Sequence, residues 1–183
     1  MTKKTNHQKI LDVTFIALFA ALCYIALTFF FFPVGPMFVH FGNLIVVVAS
    51  LLMGGWQGGL AGSVGMGLYD ILNGHADSSP KTFLLKFLIG LTVGMVYNLL
   101  KNKMKRKTVA AFIGAVCGMV VNLVGETLWK IVQYTSAGST VSAATTTAVL
   151  SQGSTLINAI IAVIGGVAIF KALEKPFDKM MKR

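Results

Sequence analysis

Polar and aromatic side chains between positions 122 and 133 are spaced so that they can act together. Every third or fourth residue is of this kind, namely Asn122, Glu126, Trp129, Lys130 and Gln133. The spacing puts an amide, a carboxylate, an ammonium group and an indole ring on one helix face, which suits binding of a small polar molecule. Two structural alternatives stay open: an ion pair between Glu126 and Lys130, and a Trp129 that anchors its helix at a membrane interface.

Further polar residues lie near the ends of other apolar segments. The predicted binding residues among them are His40, Asn43, Asp70, Lys86, Ser154 and Asn158. Ionisable side chains inside an apolar segment are costly in lipid and are therefore candidates for function. The structural alternatives are an ion pair between Asp70 and Lys86, a solvated Lys81 at the mouth of its segment, and a loop His40 without a partner.

The composition indicates that membrane-spanning segments position these residues. Of the 183 residues, 55% are hydrophobic and 12% are charged, whereas a soluble domain usually has about 25% charged residues. The formal net charge of +10 does not indicate nucleic-acid binding, because the basic residues flank apolar segments and form no stripe on a polar surface. Cys23 and Cys117 fall inside apolar segments without metal-ligand spacing, so neither a disulfide framework nor a metal site is predicted.

The sequence predicts an all-α, polytopic membrane protein with six transmembrane helices in a single domain over residues 1–183. A spanning helix needs about 20 mainly apolar residues. The predicted spans are 10–32, 42–53, 55–73, 82–100, 108–132 and 151–172. Thirteen of the 16 Lys and Arg residues lie in the N-terminal tail, the 101–107 linker and the C-terminal tail. Cytoplasmic loops carry such an excess, so both termini are predicted to be cytoplasmic.

With this orientation, the polar residues converge at the outer ends of the helices. The cytoplasmic halves of the spans are almost wholly apolar. This asymmetry predicts a cavity that opens outward, because a pore needs polar groups along its whole length and a proton-coupled carrier binds near the midplane. The sequence has no G-x-x-x-x-G-K-[ST], H-E-x-x-H or G-x-S-x-G motif. A transport protein without an ATP-binding loop needs a partner to supply energy.

Several motifs together resemble one family of membrane proteins. They are His40-Phe-Gly-Asn43, the glycine-rich run from Leu52 to Gly62, Gly67-Leu-Tyr-Asp70, and Ser79-Pro-Lys-Thr-Phe followed by Lys86. Over residues 10–172 the chain resembles the substrate-binding S components of energy-coupling factor (ECF) vitamin transporters. The resemblance implies a multi-pass protein of the cell membrane that captures a vitamin, uses no cofactor and is not an enzyme. It also implies docking on an ECF module of one membrane coupling subunit and two cytoplasmic ATPase subunits, with toppling in the membrane to deliver the vitamin.

Small residues four apart occur in several of the predicted spans. In the first span, Ala17 and Ala21, with Ala20 beside them, can pack inside the protein or dock another membrane subunit. S components carry an A-x-x-x-A motif on the first helix that contacts the coupling subunit, so the resemblance implies docking through these alanines. The glycines of the other spans favour close helix packing within the protein.

The overall pattern resembles the subgroup assigned to hydroxymethylpyrimidine or pyridoxine, which are small hydroxylated nitrogen heteroaromatics. Trp129 or Tyr134 can stack on such a ring. Pantothenate is the first alternative, because Lys86 or Lys130 can hold its carboxylate, and riboflavin is a second alternative on family grounds. An autonomous small-molecule carrier and a membrane enzyme are the competing classes. The 134–150 segment is predicted either to fold over the pocket or to be a disordered connector.

Overall fold

The computed structural model describes residues 5–34 and 37–181. This part of the chain has seven α-helices and one β-hairpin. The elements are α1 (Asn6–Phe29), β1 (Phe31–Val34), β2 (Met37–His40), α2 (Gly42–Met53), α3 (Gly55–Leu72), α4 (Ser79–Leu100), α5 (Lys107–Ser136), α6 (Val141–Leu150) and α7 (Gly153–Met181). Four basic residues of the predicted cytoplasmic tails lie outside the described residues, namely Lys3, Lys4, Lys182 and Arg183.

Four helices are long and apolar enough to cross a membrane. These are α1, α4, α5 and α7. The helices α2 and α6 are apolar but shorter, and α3 has 18 residues and is rich in glycine. The prediction of a mostly helical protein is therefore confirmed, and helix length and composition support four of the six predicted spans.

The first apolar segment ends earlier than predicted. Helix α1 ends at Phe29 and not at residue 32, because the chain continues into an antiparallel hairpin in which Phe31 pairs with His40. Gly35, which follows this segment, lies outside the described residues. The stretch predicted as an outer loop is therefore largely a hairpin that leads directly into α2.

The segment 134–150 is mostly helical, so the prediction of a disordered connector is wrong, whereas folding of this segment over the pocket stays a prediction. Helix α5 continues to Ser136, beyond the predicted end at 132, and α6 follows after a short turn. Thr140 caps α6 by accepting a backbone hydrogen bond, and Ala144 and Ala148 are buried in the contact with α5. The composition concealed this helix, because Ser and Thr favour caps and turns over helix interiors.

Helices α3 and α4 cross with their backbones in contact through glycines. A Cβ atom at Gly90 would collide with the backbone of Gly59, and one at Gly94 would collide with the backbone of Gly55. On its other side, α3 places Gly58 against Ser50 of α2. These contacts confirm that the regularly spaced glycines pack helices within the protein. The close crossing holds α4 firmly beside α3.

The short helix α2 forms the centre of the bundle. It contacts α1, α3, α4 and α7. Nine of its 12 residues are buried, including Val46, Val47 and Val48. A helix that is apolar on every side is stable when other helices enclose it. Because α2 begins directly after the hairpin, its first turn lies next to the polar residues described below.

Candidate functional site

A two-lobed cavity lies at the end of the bundle that carries the hairpin, away from the basic linker between α4 and α5. The larger lobe has a volume of about 380 Å³, and we call it the aromatic lobe because Phe31, Phe38 and Tyr69 line it. The smaller lobe, of about 260 Å³, is lined mainly by polar side chains, and we call it the polar lobe. The lining residues that the two lobes share are Phe38, His40, Lys86 and Glu126.

Nine of the eleven predicted binding residues line this cavity. Those in the polar lobe are His40, Asn43, Lys86, Asn122, Glu126, Lys130, Ser154 and Asn158. Asp70 lines the aromatic lobe, together with Thr82 and Ser78, which the sequence did not indicate. The hairpin and five helices supply these side chains, so the site exists only in the folded bundle.

Three charged side chains and one amide form an ion cluster where the lobes meet. Lys81 Nζ donates to both oxygens of the Glu126 carboxylate, at 3.1 and 3.0 Å. Lys86 Nζ lies 3.9 Å from Oε1 of Glu126 and donates to Asn122 Oδ1 at 3.0 Å. The exposed fraction is 17% for the Lys81 and Glu126 side chains and 5% for that of Lys86. Such burial makes pairing necessary, and the pairing fixes the Glu126 carboxylate between the lobes.

These pairings differ from the structural alternatives that the sequence allowed. Glu126 pairs with Lys81 across α4 and α5 and not with Lys130 in its own helix. Lys130 Nζ instead donates to the backbone carbonyl and hydroxyl oxygens of Ser151, at 3.2 and 2.9 Å. Within residues 5–34 and 37–181, the Asp70 carboxylate forms no ion pair with Lys86. Because α4 packs on α5, Lys81 of α4 lies within hydrogen-bond distance of the Glu126 carboxylate.

Asn158 of α7 fastens the hairpin to the helix bundle. Its Oδ1 accepts a hydrogen bond from the His40 N–H at 2.9 Å, and its Nδ2 donates to the Phe38 carbonyl at 3.0 Å. His40 Nδ1 accepts a hydrogen bond from the Gly42 N–H at 3.2 Å. Burial, helped by the positive charge of Lys86, lowers the pKa of His40 to about 4. The imidazole is therefore neutral at pH 7 and holds the turn between β2 and α2.

Comparison with known proteins assigns this architecture to a family. A family model described as "ECF-type riboflavin transporter, S component" matches residues 7–175. The chain belongs to this family of S components. The structure of ThiT from Listeria monocytogenes, phased by native SAD, has the same fold, with a TM-score of 0.68 and 20% identity over 95% of this chain and 98% of that chain. A comparison with curated proteins found no match.

Family membership confirms the resemblance to the S components of ECF transporters, and the resemblance to one vitamin subgroup stays a prediction. This S component is a membrane protein of vitamin transport, and S components are binding subunits of transporters and not enzymes. The fold shared with ThiT covers nearly the whole of both chains. The choice of vitamin depends on the chemistry of the cavity.

Trp129 and Gln133 of this S component lie outside the cavity. The Trp129 ring lines an apolar groove between α4 and α5, beside Pro80 and Leu84. Gln133 is exposed and lines neither lobe. The aromatic wall that we expected from Trp129 or Tyr134 comes instead from the aromatic residues of the hairpin and α3. The only sequence signal for that wall is the clustering of phenylalanines on both sides of Pro33.

Only two of the three alanines predicted to dock a partner are accessible on α1. Ala17 and Ala21 are exposed, whereas Ala20 is buried. A Cβ atom at Gly65 of α3 would collide with the backbone carbonyl of Ala20, so this alanine packs inside the bundle. The predicted docking surface is therefore corrected to Ala17 and Ala21.

Proposed function

We propose that this S component captures a hydroxylated nitrogen-heteroaromatic vitamin or precursor, with pyridoxine and hydroxymethylpyrimidine as favoured substrates. The observation that carries the proposal is an aromatic lobe that adjoins an ion cluster within one cavity. Phe31, Phe38 and Tyr69 offer aromatic surfaces for stacking on a ring. The ammonium group of Lys86 and the carboxylate of Glu126 offer a donor and an acceptor to hydroxyl groups and ring nitrogens.

Riboflavin and pantothenate are the alternative substrates. The family that matches this chain is described as one of riboflavin transporters, and riboflavin also combines a nitrogen-heteroaromatic ring system with hydroxyl groups. Pantothenate is an anion without an aromatic ring. The aromatic lobe favours the heteroaromatic vitamins, because pantothenate has no ring that could stack on its walls.

Calorimetric titration of the purified chain in detergent tests the substrate class. Calorimetry suits this protein better than tryptophan fluorescence, because the Trp129 ring lies outside the cavity. Saturable binding of pyridoxine or hydroxymethylpyrimidine at one site per chain is the expected result. Binding of riboflavin alone would replace the favoured substrates within the class. Binding of pantothenate alone, or of none of the four, would refute the proposed class.

Two alanine variants test the position of the site. Glu126→Ala and Asn158→Ala should weaken vitamin binding while the protein still assembles, since one removes the carboxylate between the lobes and the other frees the hairpin. Val120→Ala is the matched control, because Val120 is an exposed residue of α5 outside both lobes. Unchanged affinity in both site variants would show that the vitamin binds elsewhere.

We also propose that the chain is a single domain over residues 1–183 that crosses the cell membrane six times, with α1 to α5 and α7 as spans. Both termini would be cytoplasmic. The positions of the basic residues support this orientation, because the 101–107 linker and the basic end of α7 lie opposite the cavity. The cavity then opens to the outside, where a vitamin arrives.

Transport would require docking on an ECF module with a membrane coupling subunit and two ATPase subunits, followed by toppling of the S component. Exposed Ala17 and Ala21 support α1 as the docking helix, because small residues allow close approach of another helix in lipid. Ala17→Trp should preserve vitamin binding and prevent co-purification with the coupling subunit. Val120→Trp, on an exposed face of α5, is the control. Normal co-purification of Ala17→Trp would refute docking through this surface.

A further inference from the structure

Asn43 differs from the other polar side chains that surround the polar lobe. The carboxylate of Glu126 is held by Lys81, and the amide of Asn158 is bonded at both ends to the hairpin. Lys130 donates to Ser151. These groups are already positioned by the protein itself, so each has a structural role besides any contact with a ligand.

The side chain of Asn43, in the first turn of α2, lines the polar lobe and is only 2% exposed. Its Oδ1 has no hydrogen-bond partner among the residues that the structure describes. Leaving a buried polar group without a partner is unfavourable, and such groups are rare in native proteins. A bound ligand that donates a hydrogen bond to Asn43 Oδ1 would remove this unfavourable free energy.

We propose that the Asn43 amide binds a hydroxymethyl group carried by the vitamin ring, an inference that rests on the proposed function. A side-chain amide presents an acceptor oxygen at one end and a donor NH₂ at the other. A hydroxyl group both donates and accepts, so it can bond the amide in either orientation. A carboxylate only accepts, and it would leave the amide oxygen without a donor.

The sizes of the two lobes support the same placement. The aromatic lobe is the larger, at about 380 Å³ against about 260 Å³, and it carries the aromatic walls. A ring therefore belongs in the aromatic lobe, and a short polar substituent can extend past Lys86 and Glu126 into the polar lobe. Asn43 then acts as the residue that distinguishes a hydroxymethyl from a methyl substituent.

Deoxy analogues of pyridoxine test this role directly by calorimetry on the full chain in detergent. Each of 4-deoxypyridoxine and 5-deoxypyridoxine has a methyl group in place of one hydroxymethyl group. The wild type should bind one of the two analogues about tenfold or more weakly than pyridoxine, since the analogue leaves the amide unpaired. Asn43→Leu, which keeps a similar side-chain shape, should bind pyridoxine and that analogue within about twofold of each other.

Ser63→Ala is the matched control, because Ser63 is buried, donates to the Phe83 carbonyl and lies outside both lobes. It should discriminate between the analogues as the wild type does. If Asn43→Leu fails to fold, Asn43→Ala replaces it, and the comparison in the wild type needs no variant. Equal wild-type affinity for pyridoxine and both analogues, or full discrimination in the Asn43 variant, overturns the inference and leaves the proposed function intact. If neither pyridoxine nor hydroxymethylpyrimidine binds, the favoured substrates and this inference both fail.

Discussion

Replacement of Glu126 by Gln tests the ion cluster, because it removes one charge and keeps the size of the side chain. In the wild type, one carboxylate pairs with Lys81 and lies 3.9 Å from Lys86. The variant leaves both lysines without a carboxylate at the junction of the lobes, and the Lys86 side chain is only 5% exposed. We therefore expect Glu126→Gln to lower the free energy of unfolding substantially.

Burial, more than distance, sets the magnitude of this effect. Removing one partner of a fully buried ion pair costs about 3–5 kcal/mol. Lys81 and Glu126 are each 17% exposed, so partial access of water reduces the expected loss to about 2–3 kcal/mol. The pair between Lys107 and Glu174 is shorter, at 2.8 Å, but Lys107 is 55% exposed. Exposed pairs of that kind contribute about 0–1 kcal/mol.

Thermal unfolding followed by size-exclusion chromatography compares Glu126→Gln with Glu174→Gln in one detergent. For a chain of this size, 1 kcal/mol shifts the Tm by about 2–4 °C. The expected decrease is about 4–12 °C for Glu126→Gln and at most about 4 °C for Glu174→Gln. Equal decreases, or a larger one in Glu174→Gln, would refute the reasoning that burial decides the contribution of each pair.

A second substitution separates the loss of charge balance from a simple loss of packing. Lys86→Met in the Glu126→Gln background removes the buried cation that has lost its counter-charge. Replacing a whole buried ion pair by apolar groups is often neutral or stabilising. The double variant should therefore recover part of the Tm that Glu126→Gln loses. Additive losses in the double variant would show that the charges of the cluster do not depend on one another.

Three further predictions follow from the packing and the hydrogen bonds. Gly94→Ala should lower the Tm although Ala favours helices, because the added Cβ collides with the backbone of α3. Gly153→Ala is the control and should not lower the Tm, because no atom lies within 4 Å of a Cβ at that position. Equal Tm values for the two variants would contradict the close crossing of α3 and α4. Burial lowers the pKa of His40 from 6.5 to about 4. Between these two pH values the unfolded chain binds a proton at His40 that the folded chain does not bind, so the free energy of unfolding of the wild type decreases as the pH falls from 6.5 to about 4. His40→Gln should lose less stability over the same pH range, and parallel pH profiles of Tm would contradict this account. Asn158→Ala should speed hydrogen exchange at the His40 amide, which donates to Asn158 in the wild type, and unchanged exchange would show that other contacts hold the hairpin.

The limits of the central helices could be predicted because local signals mark them. Helix α2 has the predicted bounds 42–53, and α3 ends one residue before the predicted position 73. Gly54 separates the two helices with a φ of 102°, a conformation that favours glycine. The hairpin and α6 escaped prediction because their residue types carry weak or opposing local preferences, and pairing or packing decides their structure.

The grouping of the site residues was also largely predictable, but their contacts were not. Helical spacing placed Asn122, Glu126 and Lys130 on one face of α5, and all three line the polar lobe. Spacing within α5 carries no information about which residue of α4 approaches that face. The ion pair of Glu126 with Lys81, and the position of Trp129 in a separate groove, therefore depended on how the two helices pack.

By itself, the sequence determined that this chain is a helical membrane protein with its polar groups gathered at one end. The physical reason is that each charge in hydrocarbon carries its own penalty, whatever its neighbours are. Only the tertiary structure decided that Phe31, Phe38 and Tyr69 form the aromatic wall, that Ala20 is buried and that Asn43 Oδ1 has no hydrogen-bond partner within the described part of the chain. These properties arise when segments distant in the chain come into contact, and periodicity within one segment does not determine them.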